Sequence, residues 1–155
     1  MWVPPEVQYP VLMHHPTRRS VGYFGAVRLR DGRFLFQREI DRFNAATFFV
    51  FMKEPRRVSR QPNRRVVVIV DNARYHHAVL HKAWRDQRMD RFALSFLPPY
   101  SPDLNPIERV WKLTRRCCLH NRYFPNLEDV MGDVEDQFGQ WSRGNDTLRR
   151  LCAIT

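Results

Sequence analysis

The sequence predicts a mixed α/β domain in which helices pack on a sheet, and three observations carry that prediction. A β-hairpin pattern occupies the first third of the chain, five consecutive apolar residues form Val66–Val70, and helix patterns alternate with strands after that run. The predicted element order is β-β-α-β-α-β-α-α. A hairpin followed by strands that alternate with helices is typical of one sheet with antiparallel and parallel pairs.

The hairpin and the first helix have clear local signals. Residues 20–30 and 33–38 are aromatic and β-branched, and Asp31–Gly32 between them is a tight-turn signal. Residues 1–19 are rich in Pro and His, and we expect an extended arm there. Asn44 can cap a helix that ends near Pro55. The residues expected to form its core face are Phe48, Phe51 and Met52.

The rest of the chain follows from apolar patterns and prolines. Because Val66–Val70 shows no alternation of apolar and polar residues, we expect a strand that is buried on both faces. The proline-rich loop over 98–106 should be rigid, and Pro106 suits the first turn of a helix. The other predicted elements are a helix over 76–87, a strand over 92–97 and a last helix over about 127–141.

The chain is strongly basic. It has 155 residues, a length that suits one domain, and a formal net charge of +10. Residues 53–91 carry +7 of that charge, whereas residues 92–155 are neutral. Nucleic acid is the usual partner of so basic a protein. Arg-rich codon usage is the alternative explanation, because 23 of the 26 basic residues are Arg.

The composition argues against several classes of protein. No run approaches the roughly 18 apolar residues that a membrane span needs. The N-terminal residues lack the pattern of a signal peptide. Three Cys without CxxC spacing argue against a disulfide framework or a cysteine zinc site. We therefore expect a protein of the reducing cytoplasm without a membrane partner.

Two carboxylates stand where α/β proteins bind ligands. Asp71 directly follows Val66–Val70, and ligands bind at the carboxyl ends of strands in open sheets. Position alone leaves open whether Asp71 caps a helix or serves as a metal ligand or acid–base residue. Glu108 lies in the first turn of the helix that begins at Pro106, where a carboxylate also complements the helix dipole. The rigid loop before Glu108 favours a precisely placed site residue.

Such a pair of carboxylates would suit Mg²⁺ or Mn²⁺, which prefer oxygen ligands. In two-metal nucleotidyl transfer the ions lie about 3.5–4 Å apart. Two ions need a bridging carboxylate and a further ligand on each side, so two carboxylates are marginal and three are the usual number.

Three segments resemble the DDE transposases of the mariner superfamily, most closely the bacterial insertion-sequence-630 type. They are the strand Val66–Val70, the phrase Asp71–His76 (DNARYH) and the segment Leu97–Lys112 (LPPYSPDLNPIERVWK). The hairpin with Gly22–Gly25 (GYFG) also fits, so the resemblance covers nearly the whole chain. It implies an RNase H-like fold, a partial catalytic domain over 1–155, and metal-dependent DNA strand cleavage and strand transfer.

By match to the family's motifs, Asp71 would be the second catalytic Asp and Glu108 the third carboxylate, both ligands of two Mg²⁺ or Mn²⁺ ions. The family's first Asp lies on a strand that precedes the hairpin, and this sequence shows no such strand. We also expect no helix-turn-helix DNA-binding domain in this chain. We therefore expect an N-terminally truncated domain that is inactive alone and weakly stable, because the missing strand normally lies in the middle of the sheet. The carboxylates considered as substitutes, and disfavoured, are Glu6, Asp31 and Asp41.

Other residues are assigned supporting roles. Those expected to orient the site are Asn72, His76 and Asn105. His77 and His81 have the i,i+4 spacing of zinc ligands, but without a third ligand we expect surface histidines. Trp111 should pack in the core. Two basic clusters, one on the loop over 56–65 and one after Glu108, are expected to flank the carboxylates and bind phosphates. For the cluster after Glu108, a solvated helix face is the alternative. The expected DNA-binding residues are Arg64, Arg65, Arg74, Arg109, Lys112, Arg115 and Arg116.

Three functions follow from these observations. The first is a transposase catalytic domain whose partner is DNA, at element ends and at the target; the resemblance suggests a homodimer. The second is a transposon remnant that binds DNA or partner transposase without cutting. The third, an RNase H-like nuclease or resolvase unrelated to transposition, is disfavoured by the segment Leu97–Lys112.

Overall fold

The computed structural model describes residues 20–154, so the extended arm expected over 1–19 lies outside the described residues. The elements are β1 (Gly22–Arg28), β2 (Arg33–Glu39), α1 (Ala45–Ser59), β3 (Val66–Val70), α2 (Lys82–Asp86), β4 (Phe92–Phe96), α3 (Pro106–Thr114), α4 (Leu127–Trp141) and α5 (Asp146–Leu151). This mixture of strands and helices confirms the predicted α/β class and is consistent with an RNase H-like fold. No helix among the described residues is long and apolar enough to cross a membrane.

The strands of residues 20–154 form two small sheets rather than the single sheet expected. β1 and β2 pair antiparallel, with Gly22 opposite Glu39. β3 and β4 pair parallel, with Val66 opposite Phe92. Within the described residues, β1 and β3 each have one strand neighbour, so no strand joins the two pairs.

β3 is less buried than its apolar sequence predicted. Val70 is buried, but Val67 is 53% exposed. The prediction of burial on both faces is wrong for Val67, and the edge of β3 away from β4 lines an open cleft instead of pairing with a strand among the described residues.

The predicted hairpin is confirmed, and its turn is fixed by side chains. Gly32 has a φ of +71°, which glycine adopts without the steric cost that a Cβ would bring. The Asp31 carboxylate accepts a hydrogen bond from the Arg33 amide at 3.2 Å and pairs with the Arg28 guanidinium. Asp31 is therefore a turn residue, as its Asp-Gly context indicated.

α1 begins as predicted but ends later. The Asn44 side chain accepts from the amides of Ala46 and Thr47, and the Thr47 side chain accepts in return from the Asn44 amide. The predicted end near Pro55 is wrong, because the helix continues to Ser59. A proline removes one helical hydrogen bond, and here the buried packing of Pro55 compensates for that loss.

The helix predicted over 76–87 is broken into three short pieces. They are 3₁₀ turns at Arg74–His77 and Val79–His81, followed by α2. Ala78 between the turns is extended, with ψ at 144°. The His81 ring nitrogen Nε2 lies 2.8 Å from the Tyr75 carbonyl oxygen, which holds the broken segment in place. Val79 and Leu80 are 81% and 58% exposed, so this segment presents apolar side chains to solvent.

Two apolar cores support these elements. One surrounds Phe34 and joins the hairpin to α3, α4 and α5; Trp111 packs edge-on to Phe34 at 5.8 Å between ring centroids, as expected for a core residue. The other joins β1, α1, β3 and β4, and contains the predicted core face of α1. Neither α5 nor the π-helical turn Arg115–Leu119 was predicted from the sequence. The α5 cap, Asn145, accepts from the Leu148 amide at 2.8 Å.

Gly25 lies where β1 packs closely on Trp111 of α3. A Cβ at Gly25 would lie 2.4 Å from Trp111 Cη2 and 2.9 Å from Phe34 Cζ. We expect Gly25→Ala to lower the free energy of unfolding by about 1–3 kcal/mol, the usual cost of overpacking. Gly132→Ala is the matched control in α4, because a Cβ there meets nothing within 4 Å. It should raise the free energy of unfolding by about 0.5–1 kcal/mol. Urea denaturation measures both, and equal midpoints would contradict this packing.

Candidate functional site

A cleft of about 480 Å³ lies between β1 and β3. Residues 23–27 of β1 and residues 66–70 of β3 line it without a gap. A sheet face would present only every second residue, so it is the edges of the two strands that face each other across the cleft. α1 contributes Phe48 and Phe51 to the lining, and α3 contributes Ile107 and Trp111.

Asp71 and Glu108 both line this cleft. Asp71 is the first residue after β3, and Glu108 lies in the first turn of α3. The two carboxylates, 37 positions apart in the sequence, are thus delivered to one cavity by two different elements.

The Asp71 side chain is held by its own turn. Its Oδ1 accepts from the Ala73 amide at 2.9 Å, a local Asx-type turn rather than the cap of a regular helix. His76 Nδ1 lies 2.9 Å from the same Oδ1 and 2.9 Å from the Asp71 carbonyl oxygen. The Asp71 side chain nevertheless remains 56% exposed, so it is both oriented and open to a ligand.

His76 orients Asp71 as a neutral ring. Burial lowers the pKa of His76 and outweighs the hydrogen bonds and charge of Asp71, which act in the opposite direction. A neutral His76 that carries its proton on Nδ1 can donate to Asp71, and the two oxygens near Nδ1 favour that tautomer.

Asn72 and Asn105 fix the loops that carry Asp71 and Glu108. Asn72 Nδ2 donates to the Leu97 carbonyl at 2.6 Å, which ties the turn after β3 to the end of β4. The buried Asn105 caps α3: its side chain accepts from the Ile107 amide, and its carbonyl accepts from the Glu108 amide at 3.1 Å. Asn105 therefore acts on Glu108 by setting where the helix begins.

Comparison with known proteins decides the family. The family described as DDE superfamily endonuclease matches residues 1–131. The chain belongs to the DDE superfamily endonucleases. These are nucleic-acid-cleaving enzymes that act on DNA and generally use divalent metal ions. A relative from Sinorhizobium fredii, the uncharacterized protein y4pE/y4sA, is 40% identical over 65 residues. That stretch spans 42% of this chain and 44% of the relative, less than half of each.

The possible metal ligands among residues 20–154 do not by themselves fit two metal ions. No group of three or more His, Cys, Asp or Glu that could hold a metal occurs in residues 20–154. Mg²⁺ sites often use one or two carboxylates together with substrate phosphates. Asp71 and Glu108 therefore suit one such ion, whereas a bridged pair needs a further carboxylate.

The other carboxylates and histidines considered lie elsewhere. Asp31 and Asp41 do not line the cleft, and Glu6 lies outside the described residues. His77 is exposed and stacks on Phe96 with ring centroids 4.1 Å apart. The prediction of a surface histidine is wrong for His81, which is fully buried and whose Nδ1 accepts from Arg85 Nε at 3.0 Å.

The residues predicted to bind DNA that follow β3 lie in three places. Arg74 is exposed in the turn that follows Asp71. Arg109 donates through Nη1 to the Leu151 and Ala153 carbonyls and so holds the end of α5. The exposed basic residues of α3 and the π-helical turn are Lys112, Arg115 and Arg116.

Arg64 and Arg65 do not flank the carboxylates as expected. They precede β3 whereas Asp71 follows it, and six residue steps of about 3.3 Å put Arg65 about 20 Å from Asp71. No role was predicted from the sequence for Arg88 and Arg91, which lie at that same far edge. Only the pairing of β3 with β4 brings them there, so no local sequence signal could have indicated it.

Proposed function

We propose that this chain is the catalytic part of a transposase that cuts DNA and joins the cut ends to target DNA as an insertion sequence moves. One observation carries the proposal: Asp71 and Glu108 of a DDE-family chain line one cleft. The motif segments 71–76 and 97–112 favour the mariner superfamily and its insertion-sequence-630 type. The expected setting is the bacterial cytoplasm at the nucleoid, with a homodimer on paired element ends.

The position of the cleft between β1 and β3 favours a third carboxylate on a further strand. Phe24 lies 6.2 Å from Tyr75, which follows β3, whereas Arg28 donates to the carbonyl of Val58 in the last turn of α1, which precedes β3. These contacts favour opposite directions for β1 and β3. A strand between them whose carboxyl end reaches Asp71 would pair parallel with β3 and antiparallel with β1, about 4.8 Å from each. Its last residue would stand beside both described carboxylates.

Metal binding by the purified chain tests the site. With Mn²⁺ as the probe, isothermal titration should show weak binding of one ion, because two carboxylates provide too few ligands for a tight or double site. Asp71→Asn and Glu108→Gln should each abolish that binding, since each removes the charge and keeps the shape. The matched control is Asp41→Asn, an exposed carboxylate outside the cleft, which should bind like the wild type. Unchanged binding in both site variants would contradict the assignment.

A second candidate is a remnant that binds DNA without cutting it. It is favoured by the finding that residues 20–154 hold no third metal ligand beside Asp71 and Glu108. This function predicts DNA binding that is strong at low salt and survives Asp71→Ala, together with no cleavage.

A further inference from the structure

We propose a second site for the DNA backbone at the end of the β3–β4 sheet where both strands begin, opposite Asp71. We call it the distal basic site, and its residues are Arg56, Arg60, Arg64, Arg65, Arg88 and Arg91. The inference rests on the proposed function for the choice of DNA as ligand. Its residues include neither candidate metal ligand, so the two proposals can fail separately.

Three segments converge at this edge. The last turn of α1 carries Arg56, and the following loop carries Arg64 and Arg65 directly before β3. The Val66 amide donates to the Arg91 carbonyl at 2.9 Å, and the Arg91 amide donates to the Arg88 carbonyl at 2.8 Å. These bonds hold the turn before β4 against the start of β3, so basic residues distant in sequence become neighbours.

A small pocket gives the site a defined shape. It has a volume of about 360 Å³, and its lining residues are Arg56, Gln87, Arg88, Asp90 and Arg91. The guanidinium carbons of Arg56 and Arg88 lie 5.8 Å and 4.9 Å from the ring centroid of Trp84. Both guanidinium groups are thus placed by one aromatic ring, which limits the freedom that binding would otherwise remove.

One donor in this pocket lacks an acceptor. Arg56 Nε is buried and has no hydrogen-bond partner among the described residues. A buried hydrogen-bond donor normally has an acceptor, so the missing partner of Arg56 Nε calls for an explanation. Because that Nε is buried, a ligand would meet Arg56 through its terminal nitrogens, and phosphate matches the planar geometry of a guanidinium.

The positive charge of the site is largely uncompensated. Asp90 pairs with Arg91 at 3.3 Å, and Glu54 is taken up by Arg57. No carboxylate of residues 20–154 forms an ion pair with the other five arginines of the distal basic site. A cluster of this density, in a family that acts on DNA, points to the duplex backbone as its ligand.

The distance between the distal basic site and the cleft can be compared with the length of a DNA duplex. The separation of about 20 Å between Arg65 and Asp71 corresponds to about six base pairs of B-DNA at about 3.4 Å per step. A duplex along this side of the sheet could therefore place a phosphate at the distal basic site while another lies in the cleft. These contacts would position the DNA without reading its sequence.

Salt-dependent binding of a fluorescent 30-base-pair duplex tests the distal site. We expect Arg64→Gln/Arg65→Gln, and separately Arg56→Gln/Arg88→Gln, to reduce the slope of log K against log salt by up to about 1.8, about 0.9 for each lost phosphate contact. Circular dichroism confirms folding, and the first variant changes only exposed side chains. The matched control is Arg143→Gln/Arg150→Gln, which removes the same charge from exposed positions beside and within α5.

Each outcome decides the inference. Slopes reduced in both distal variants and unchanged in the control support it. Wild-type slopes in the distal variants, or an equal reduction in the control, overturn it, because binding would then reflect net charge alone. Asp71→Asn should keep the wild-type slope while losing Mn²⁺ binding. Loss of Mn²⁺ binding there, with wild-type slopes in both distal variants, would leave the proposed function standing and the distal site refuted.

Discussion

The purified chain should not nick DNA in Mg²⁺ or Mn²⁺ above the level of a metal-free control. Two-metal phosphodiester cleavage needs ions about 3.5–4 Å apart that share a bridging carboxylate. The described residues offer Asp71 and Glu108 and no third ligand. A supercoiled plasmid that carries the DNA flanking the gene serves as substrate, and conversion to the open circular form measures nicking.

Two accompanying measurements make this result informative. Asp71→Ala should behave like the wild type in the nicking assay, because there is no activity to lose. DNA binding by both proteins at low salt should remain, which would show that the chain is folded and reaches its substrate. Metal-dependent nicking that Asp71→Ala abolishes would contradict the prediction and would show that the chain completes its metal site alone.

Phe34→Ala should destabilise the chain by about 3–5 kcal/mol, the usual cost of removing a fully buried Phe side chain. Phe34 has no exposed surface and lies 4.9 Å from Phe138 and 6.1 Å from Trp141 between ring centroids. Because it joins the hairpin to α3 and α4, its loss should leave a cavity where these elements meet. Domains of this kind have about 5–15 kcal/mol of stability, so a large unfolded fraction is expected at 37 °C. Urea denaturation followed by circular dichroism measures the change.

The control for Phe34→Ala removes an aromatic side chain that is exposed to solvent. Tyr100 is fully exposed on the loop between β4 and α3, so Tyr100→Ala should change the free energy of unfolding by no more than about 0.5 kcal/mol. Similar stabilities for Phe34→Ala and Tyr100→Ala would contradict the packing of the hairpin on α3 and α4.

Local signals were sufficient for most of the fold. Turn chemistry at Asp31–Gly32 and the capping side chain of Asn44 act within a few residues, so their effects could be predicted from the sequence. The same holds for β3 and for α3, which begins at Pro106 as predicted. The expected fixing of Asp71 by His76 also depends on a separation of only five residues.

Long-range packing explains the elements that could not be predicted from the sequence. The helix expected over 76–87 is broken where the rings of His76 and His81 pack on Phe48 of α1, 28 and 33 positions earlier in the chain. α5 is held in part by Arg109, whose guanidinium donates to carbonyls 42 and 44 positions away. No window of local sequence contains both ends of such an interaction.

The α/β class, the family resemblance and the two candidate carboxylates could be predicted from the sequence, because each depends on short motifs with fixed spacing. Which face of the molecule each charge occupies depends on tertiary packing. Asp71 and Glu108 line one cleft between strand edges that no strand among the described residues joins, and Arg64 and Arg65 lie at the opposite end of β3. The parallel pairing of β3 with β4 explains this separation. It gathers the residues that follow both strands at one edge and those that precede them at the other, about 20 Å away.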